Sequence, residues 1–172
     1  VFLGLCALAQ LVMALPVMLT LSYLAISIGF PLQDAALLSW DRALGFDFRS
    51  LLDFSSRHRE LIPLLARSYN SLIQQMLLAV LVLPLAGCYR RGAEAVCAFL
   101  LALLATTCIS ALVPAIGVYD TLGLEAAADF PQLEPLAYYD SFRDIPLARG
   151  GYLHKLSLTS LVGLLTFPSF HA

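Results

Sequence analysis

Residues 1–30 contain no charged side chain. A run of this length can cross the hydrocarbon core of a bilayer, which needs about 20 consecutive apolar residues. Two more long apolar segments follow, at residues 69–89 and 93–118. The chain is 60% hydrophobic and 13% charged, whereas soluble domains carry roughly 25% charged residues. These features predict an all-α fold, a polytopic helical bundle in a membrane.

The predicted transmembrane helices occupy residues 3–28, 69–89 and 93–118, within one domain that covers residues 1–172. A fourth helix is expected to begin near Pro168, because proline is favoured at the first position of a helix. The chain starts inside an apolar run and stops one residue after His171. We therefore expect it to be a truncated piece of a longer membrane protein.

Charge and cysteine content exclude several classes of protein. The net charge is -2 and the pI is about 5.8, so there is no basic footprint for nucleic acid. The four cysteines form no CxxC pair, and closely spaced Cys and His ligands are what a zinc site needs. We predict no metal site, no disulfide framework and no cofactor.

The charged segments indicate how the chain is oriented. The short Arg90-Arg91 turn predicts a cytoplasmic position by the positive-inside rule. Residues 33–67 and 119–157 then lie together on the outer side. In the first of these, charges alternate with apolar residues and Trp40, a pattern that favours interfacial helices with a solvated charged face. The second is predicted to be a polar loop that guides or covers a substrate, since it is too long for a simple connector.

Ser169 and His171 follow Pro168 at the end of a long apolar approach. If a helix begins at Pro168, the backbone N–H groups of Ser169 and Phe170 are among its unpaired donors, which suits a phosphate group. A hydroxyl and an imidazole beside such an anion site would form half of a phosphoryl-transfer site. The alternative interpretation is a helix start near the membrane surface with an incidental histidine.

Arg149 is a second candidate for contact with phosphate. It precedes Gly150 and Gly151 in a predicted turn, and its guanidinium group can bind phosphate oxygens in a bidentate manner. A single arginine in a loop can equally be a solvated surface residue. The residues alone leave both interpretations open.

Residues 163–172, Gly-Leu-Leu-Thr-Phe-Pro-Ser-Phe-His-Ala, resemble the second signature motif of the type-2 phosphatidic acid phosphatase superfamily. The similarity is greatest to the branch with inositol phosphorylceramide synthases and their bacterial relatives, the inositolphosphotransferase branch. Three further segments resemble that branch: residues 40–47 (WDRALGFD), residues 113–117 (VPAIG) and residues 149–151 (RGG). The Pro-Ser-x-His motif is the most specific of the four.

The resemblance implies metal-independent phosphoryl transfer through a phosphohistidine. The nucleophile would be a histidine of a third motif, held by an aspartate. By the same resemblance, His171 is the general acid, Ser169 and the N–H of Phe170 hold phosphate oxygens, and Arg149 adds positive charge. The substrate would be a lipid phosphate or phospholipid, and the protein would lie in the bilayer of a bacterial inner (plasma) membrane with its site on the outer face.

The sequence departs from the family pattern in three ways. Many phosphatases of the superfamily have glycine where this chain has Phe170, which is usual for the inositolphosphotransferase branch and tightens the site. A full first motif is not readable, with Arg149 as a substitute, and the third motif lies beyond Ala172. We therefore expect the 172 residues to be inactive by themselves. Phosphatase and transferase activity are not separable from these residues, and the oligomeric state is open. The alternative function is a non-catalytic membrane protein or transporter with an anion site at a helix N-terminus.

Overall fold

The computed structural model describes residues 2–124, 136–152 and 163–169. In these ranges the chain forms helices joined by turns and irregular segments, which confirms the all-α prediction. The helices are α1 (Phe2–Ser27), α2 (Asp34–Ala43), α3 (Phe48–Arg57), α4 (Leu61–Asn70), α5 (Leu72–Leu85), α6 (Tyr89–Leu112), α7 (Val118–Thr121) and α8 (Leu136–Arg149).

Two helices are long and apolar enough to cross a membrane. They are the Leu5–Ser27 part of α1 and the whole of α6. Helices α4 and α5 together form a third candidate, because they follow each other directly with a bend of 43° between them. Helix α5 alone has 14 residues, or about 21 Å at 1.5 Å per residue, so it needs α4 to reach across a bilayer core of about 30 Å.

The first and last of these helices run in the same direction. Near its start, α1 places Ala7 against Val80 of α5 and Val96 of α6. Near its end, Tyr23 and Ile26 pack in a cluster that also contacts Ile116, which follows α6. The ends of α1 and α6 therefore lie together, and the turn between α5 and α6 lies at the opposite end of the bundle.

Gly87 ends α5 and allows the chain to reverse into α6. Its φ is +80°, a left-handed conformation that favours glycine. The N–H of Gly87 donates to the carbonyl of Pro84 at 3.0 Å, and the N–H of Cys88 donates to that of Leu83 at 2.8 Å. This pair of bonds is a Schellman motif. It satisfies two carbonyls at the end of α5. Arg90 and Arg91 follow in the first turn of α6.

The two helices approach closely at Gly92, which is buried in the first turn of α6. A Cβ atom added there would lie 3.0 Å from Cγ of Pro84. We expect Gly92→Val to destabilise the fold by about 1–3 kcal/mol through overpacking, measured as a lower thermal midpoint of the helical signal in detergent. Ala98→Val, at an exposed position of the same helix, is the control. Equal midpoints for the two variants would contradict this packing.

Helices α2 and α3 form the segment predicted to lie in the membrane interface. Several apolar side chains here are largely exposed, among them Trp40, Leu44 (80%) and Phe46. Asp47 caps α3 by accepting from the N–H of Arg49 at 3.2 Å and from the hydroxyl of Ser50 at 2.7 Å. The Ser50 hydrogen bond lowers the pKa of the Asp47 carboxyl. Exposed apolar side chains on short helices suit a membrane interface.

The segment predicted as a polar loop at residues 119–157 contains a helix of 14 residues, α8. Its buried positions include Asp144, Ile145 and Ala148. Sequence reasoning missed this helix because Pro146 lies inside it and because an aspartate occupies the buried face. Proline removes one helical hydrogen bond and disfavours the helix interior, so the pattern was typical of a loop.

Candidate phosphate site

Four separate parts of the chain meet at one end of the bundle. Tyr23 and Ile26 at the end of α1, Ile145 and Ala148 of α8, and Leu164 form one buried cluster. Ile116, from the connection after α6, packs against it. Ile145 is fully buried and Leu164 is 1% exposed. This cluster, which we call the end cluster, fixes residues 163–169 relative to the helices.

The irregular segment at residues 163–169 is held by two anchors. Leu164 is buried in the end cluster, and the hydroxyl of Thr166 donates to the carbonyl of Ala115. Pro168 and Ser169 lie outside any helix, and Ser169 is exposed. Phe170 and His171 lie outside the described residues, so the helix predicted to begin at Pro168 stays a prediction. Ser169 is thus three residues from a fixed point.

Arg149 is the last residue of α8 and directly follows Ala148 of the end cluster. Its Nη2 donates to the carbonyl of Gly29, just after α1, at 3.5 Å. Its Nη1 is buried and has no hydrogen-bond partner among the described residues. A buried donor without an acceptor costs free energy, and that cost falls if an anion supplies the acceptor. Arg149 thus contacts the chain just after α1 and is half-buried.

A buried carboxylate supports α8 beside this site. Asp144 is 7% exposed; its Oδ1 accepts from Nε of Arg143 at 2.6 Å, and its Oδ2 accepts from the hydroxyl of Tyr23 at 3.1 Å. The Arg143 hydrogen bond lowers the pKa of Asp144; burial opposes it, and the Tyr23 hydroxyl and the Arg143 charge act in the same direction as the hydrogen bond. The contact joins α8 to the end of α1.

We expect Asp144→Asn to destabilise the protein by about 1–3 kcal/mol, because a charge-assisted hydrogen bond is lost. The pKa of Asp144 is lower in the folded state, so its contribution is complete above the unfolded-state value of about 3.9 and is lost as pH falls through the folded-state pKa. Thermal midpoints in detergent should differ at pH 7 and should approach each other as pH falls through the lowered pKa of Asp144. Asp53→Asn on exposed α3 is the control, and a difference independent of pH would contradict the assignment.

Asp34, which sequence reasoning placed among the solvated charges, has a specific structural partner. Its carboxylate accepts from the N–H of Ile116 at 3.0 Å and from the N–H of Gly117 at 2.8 Å. These residues are more than 80 positions away in the chain. An aspartate in the first turn of a helix is common. Local spacing does not reveal that its carboxylate accepts hydrogen bonds from N–H groups of a distant loop.

The family comparison covers the four site residues predicted from the sequence, Arg149, Ser169, Phe170 and His171. The family model described as the PAP2 superfamily matches residues 35–172, which is most of the chain. The chain belongs to the PAP2 superfamily. Searches of curated proteins and of solved structures gave no match.

Membership of the PAP2 superfamily confirms the coarser part of the resemblance. Members of this superfamily are generally phosphatases or phosphotransferases, and the apolar helices fit a membrane phosphatase. Arg149 and the segment that leads to Ser169 both contact the end cluster through neighbouring residues, Ala148 and Leu164. Two of the four predicted site residues thus lie at the same end of this PAP2 protein, and the other two, Phe170 and His171, follow Ser169 directly in the chain.

Proposed function

We propose that this chain is part of a membrane-embedded lipid phosphatase or phosphotransferase that works through a phosphohistidine. The observation that carries the proposal is Arg149, whose buried Nη1 has no acceptor in the described part of the chain, at the same end of the bundle as the anchored segment before Ser169. Family membership supplies the reaction class. An arginine donor without an acceptor, near a Pro-Ser-x-His sequence, suits a phosphate group.

The proposed reaction has two steps. A ring nitrogen of the nucleophilic histidine, which the family resemblance places in a third motif, attacks phosphorus and forms an N–P bond. The P–O ester bond breaks, and His171 gives its proton to the leaving oxygen. In the second step water or a sugar hydroxyl attacks the phosphohistidine, His171 takes up its proton, and the N–P bond breaks.

The proposed roles of the remaining residues are electrostatic. Arg149 holds two phosphate oxygens and offsets the negative charge that spreads over them in the transition state. Ser169 donates its hydroxyl, and the N–H groups of Ser169 and Phe170 add further donors. Positioning and charge stabilisation are the main contributions that a protein makes to phosphoryl transfer.

The decisive experiment uses the full-length protein in detergent with a radiolabelled lipid phosphate. We expect release of labelled phosphate in excess EDTA, and a phosphoprotein that is labile to acid and stable to base after rapid quenching. Loss of turnover with EDTA, or an acid-stable phosphoprotein, would overturn the phosphohistidine mechanism. Phosphate binding without any turnover would favour the alternative, a non-catalytic membrane protein or transporter.

The branch and the membrane side are part of the same proposal. We propose the inositolphosphotransferase branch and a site on the outer face of a bacterial inner membrane. Inositol added to the assay should divert label from free phosphate to inositol phosphate or its lipid if a sugar hydroxyl is the acceptor. A water-soluble, membrane-impermeant thiol reagent applied to intact cells should label a cysteine introduced at exposed Leu44 and not one at exposed Arg91; the reverse pattern would invert the orientation.

A further inference from the structure

The start of α2 forms hydrogen bonds with both ends of the connection between α6 and α7, residues 114–117. The N–H of Gln33 donates to the carbonyl of Pro114 at 2.9 Å. The carboxylate of Asp34 accepts from the N–H groups of Ile116 and Gly117. Residues 114–117 form no helix of their own, so their backbone conformation depends on these contacts. We call this arrangement the α2 clamp.

The same connection, residues 114–117, in turn holds the segment at residues 163–169 that leads to the candidate site. The carbonyl of Ala115 lies in the chain between the Pro114 carbonyl and the Ile116 N–H, which both bond to the start of α2. It accepts a hydrogen bond from the hydroxyl of Thr166. Ala115 is 3% exposed, so this carbonyl has little access to water, and a buried acceptor is costly to leave unpaired. A continuous series of hydrogen bonds therefore runs from Asp34 through residues 115–117 to Thr166.

We propose that Asp34 and Thr166 are positioning residues of the phosphate site. The inference rests on the proposed function, because it assigns to these two residues the placement of Ser169. Neither side chain is required to touch the substrate. Thr166 fixes the backbone three residues before Ser169, and Asp34 fixes the carbonyl to which Thr166 is bonded. Displacement of a catalytic group by about 1 Å can cost roughly 10²-fold in rate.

Paired substitutions in the full-length protein test the series. Thr166→Val removes the donor while keeping the shape, and Thr166→Ser keeps the donor. Asp34→Ala removes both acceptor atoms, and Asp34→Asn keeps one amide oxygen, which can still accept. We expect Thr166→Val and Asp34→Ala to lower kcat about 10- to 100-fold with KM changed less than about threefold, while the conservative variants recover most of kcat.

Two controls separate positioning from general loss of stability. Thr107→Val removes a buried hydroxyl that donates to the carbonyl of Leu103 within α6 at 2.8 Å, and Asp53→Ala removes an exposed carboxylate. Both should keep kcat near the wild-type value. The double variant Asp34→Ala/Thr166→Val should lose no more than the worse single variant, because both interrupt one series. Fully multiplicative losses would overturn the proposal.

A measurement without turnover distinguishes this proposal from the proposed function. Ser169→Cys, with the four native cysteines replaced by alanine, places one thiol at an exposed position. Its rate of reaction with a charged thiol reagent should change at least about threefold when Thr166→Val or Asp34→Ala is added, and not with Thr107→Val. If the wild-type protein shows no turnover, the function fails while the labelling rates still decide the positioning role. Unchanged labelling rates would overturn the positioning role.

Discussion

His171→Ala is expected to lower turnover of the full-length protein by about 10²- to 10⁴-fold, the contribution of a positioned general acid. The loss should depend on the leaving group. A lipid alkoxide needs a proton as it departs, whereas a nitrophenolate does not, so the variant should be much less impaired with an activated aryl phosphate. Because imidazole titrates near neutral pH, the decline of wild-type activity at high pH should also disappear in the variant.

His58→Ala is the matched control for this prediction. His58 follows α3, where its ring stacks on Phe54 with centroids 4.1 Å apart, and it lies in a segment separate from the end cluster. Its removal should leave turnover and its pH profile unchanged. An equal loss for lipid and activated aryl substrates in His171→Ala would remove the acid role, and intact lipid turnover would remove His171 from the mechanism.

Arg149→Ala is expected to lower kcat/KM about 10- to 150-fold, which corresponds to the roughly 1.5–3 kcal/mol of a hydrogen bond to a charged group. Arg149→Lys should recover only part of this loss, because lysine keeps the charge but lacks the planar, bidentate donor group. Vanadate, a phosphate analogue, should raise the thermal midpoint of the wild-type protein. The increase should be absent in Arg149→Ala, since the buried Nη1 no longer gains an acceptor.

The matched control for Arg149 is Arg90→Ala. Arg90 forms an exposed ion pair with Glu94 at 2.8 Å, at the opposite end of the bundle. Surface pairs of this kind contribute about 0–1 kcal/mol, so both kcat/KM and the response to vanadate should persist. Vanadate stabilisation that survives in Arg149→Ala would show that the phosphate group binds elsewhere.

The helices that are long and apolar enough to span a membrane were the most predictable part of this fold. Their length and lack of charge are local properties, so the apolar run that becomes α1 could be recognised without any partner. The boundary between α4 and α5, where the helix axis bends by 43°, was not predicted from the sequence. Helix α8 was missed because its buried face contains Asp144, and one of the partners of Asp144, Tyr23, lies 121 residues away in the chain.

The residues of the candidate site also differ in how readily the sequence reveals them. Ser169, Phe170 and His171 stood out because a short motif carries them, and Arg149 because it precedes two glycines. Asp34 carried no such signal, since an aspartate at the start of a helix resembles any capping residue. Its role depends on N–H groups 82 and 83 positions later. Sequence patterns identify the groups that do chemistry more readily than those that hold them in place.

The parallel course of α1 and α6 has a consequence for the order of biogenesis. A chain made from its N-terminus inserts α1 and exposes Asp34 and Tyr23 long before their partners exist. The partners of Asp34 follow α6, and the partner of Tyr23 is Asp144, 121 residues later. Contacts this far apart in the chain form slowly, because a long loop must close first. Insertion of α1 and formation of the contacts that Tyr23 and Asp34 make are thus expected to be separate events.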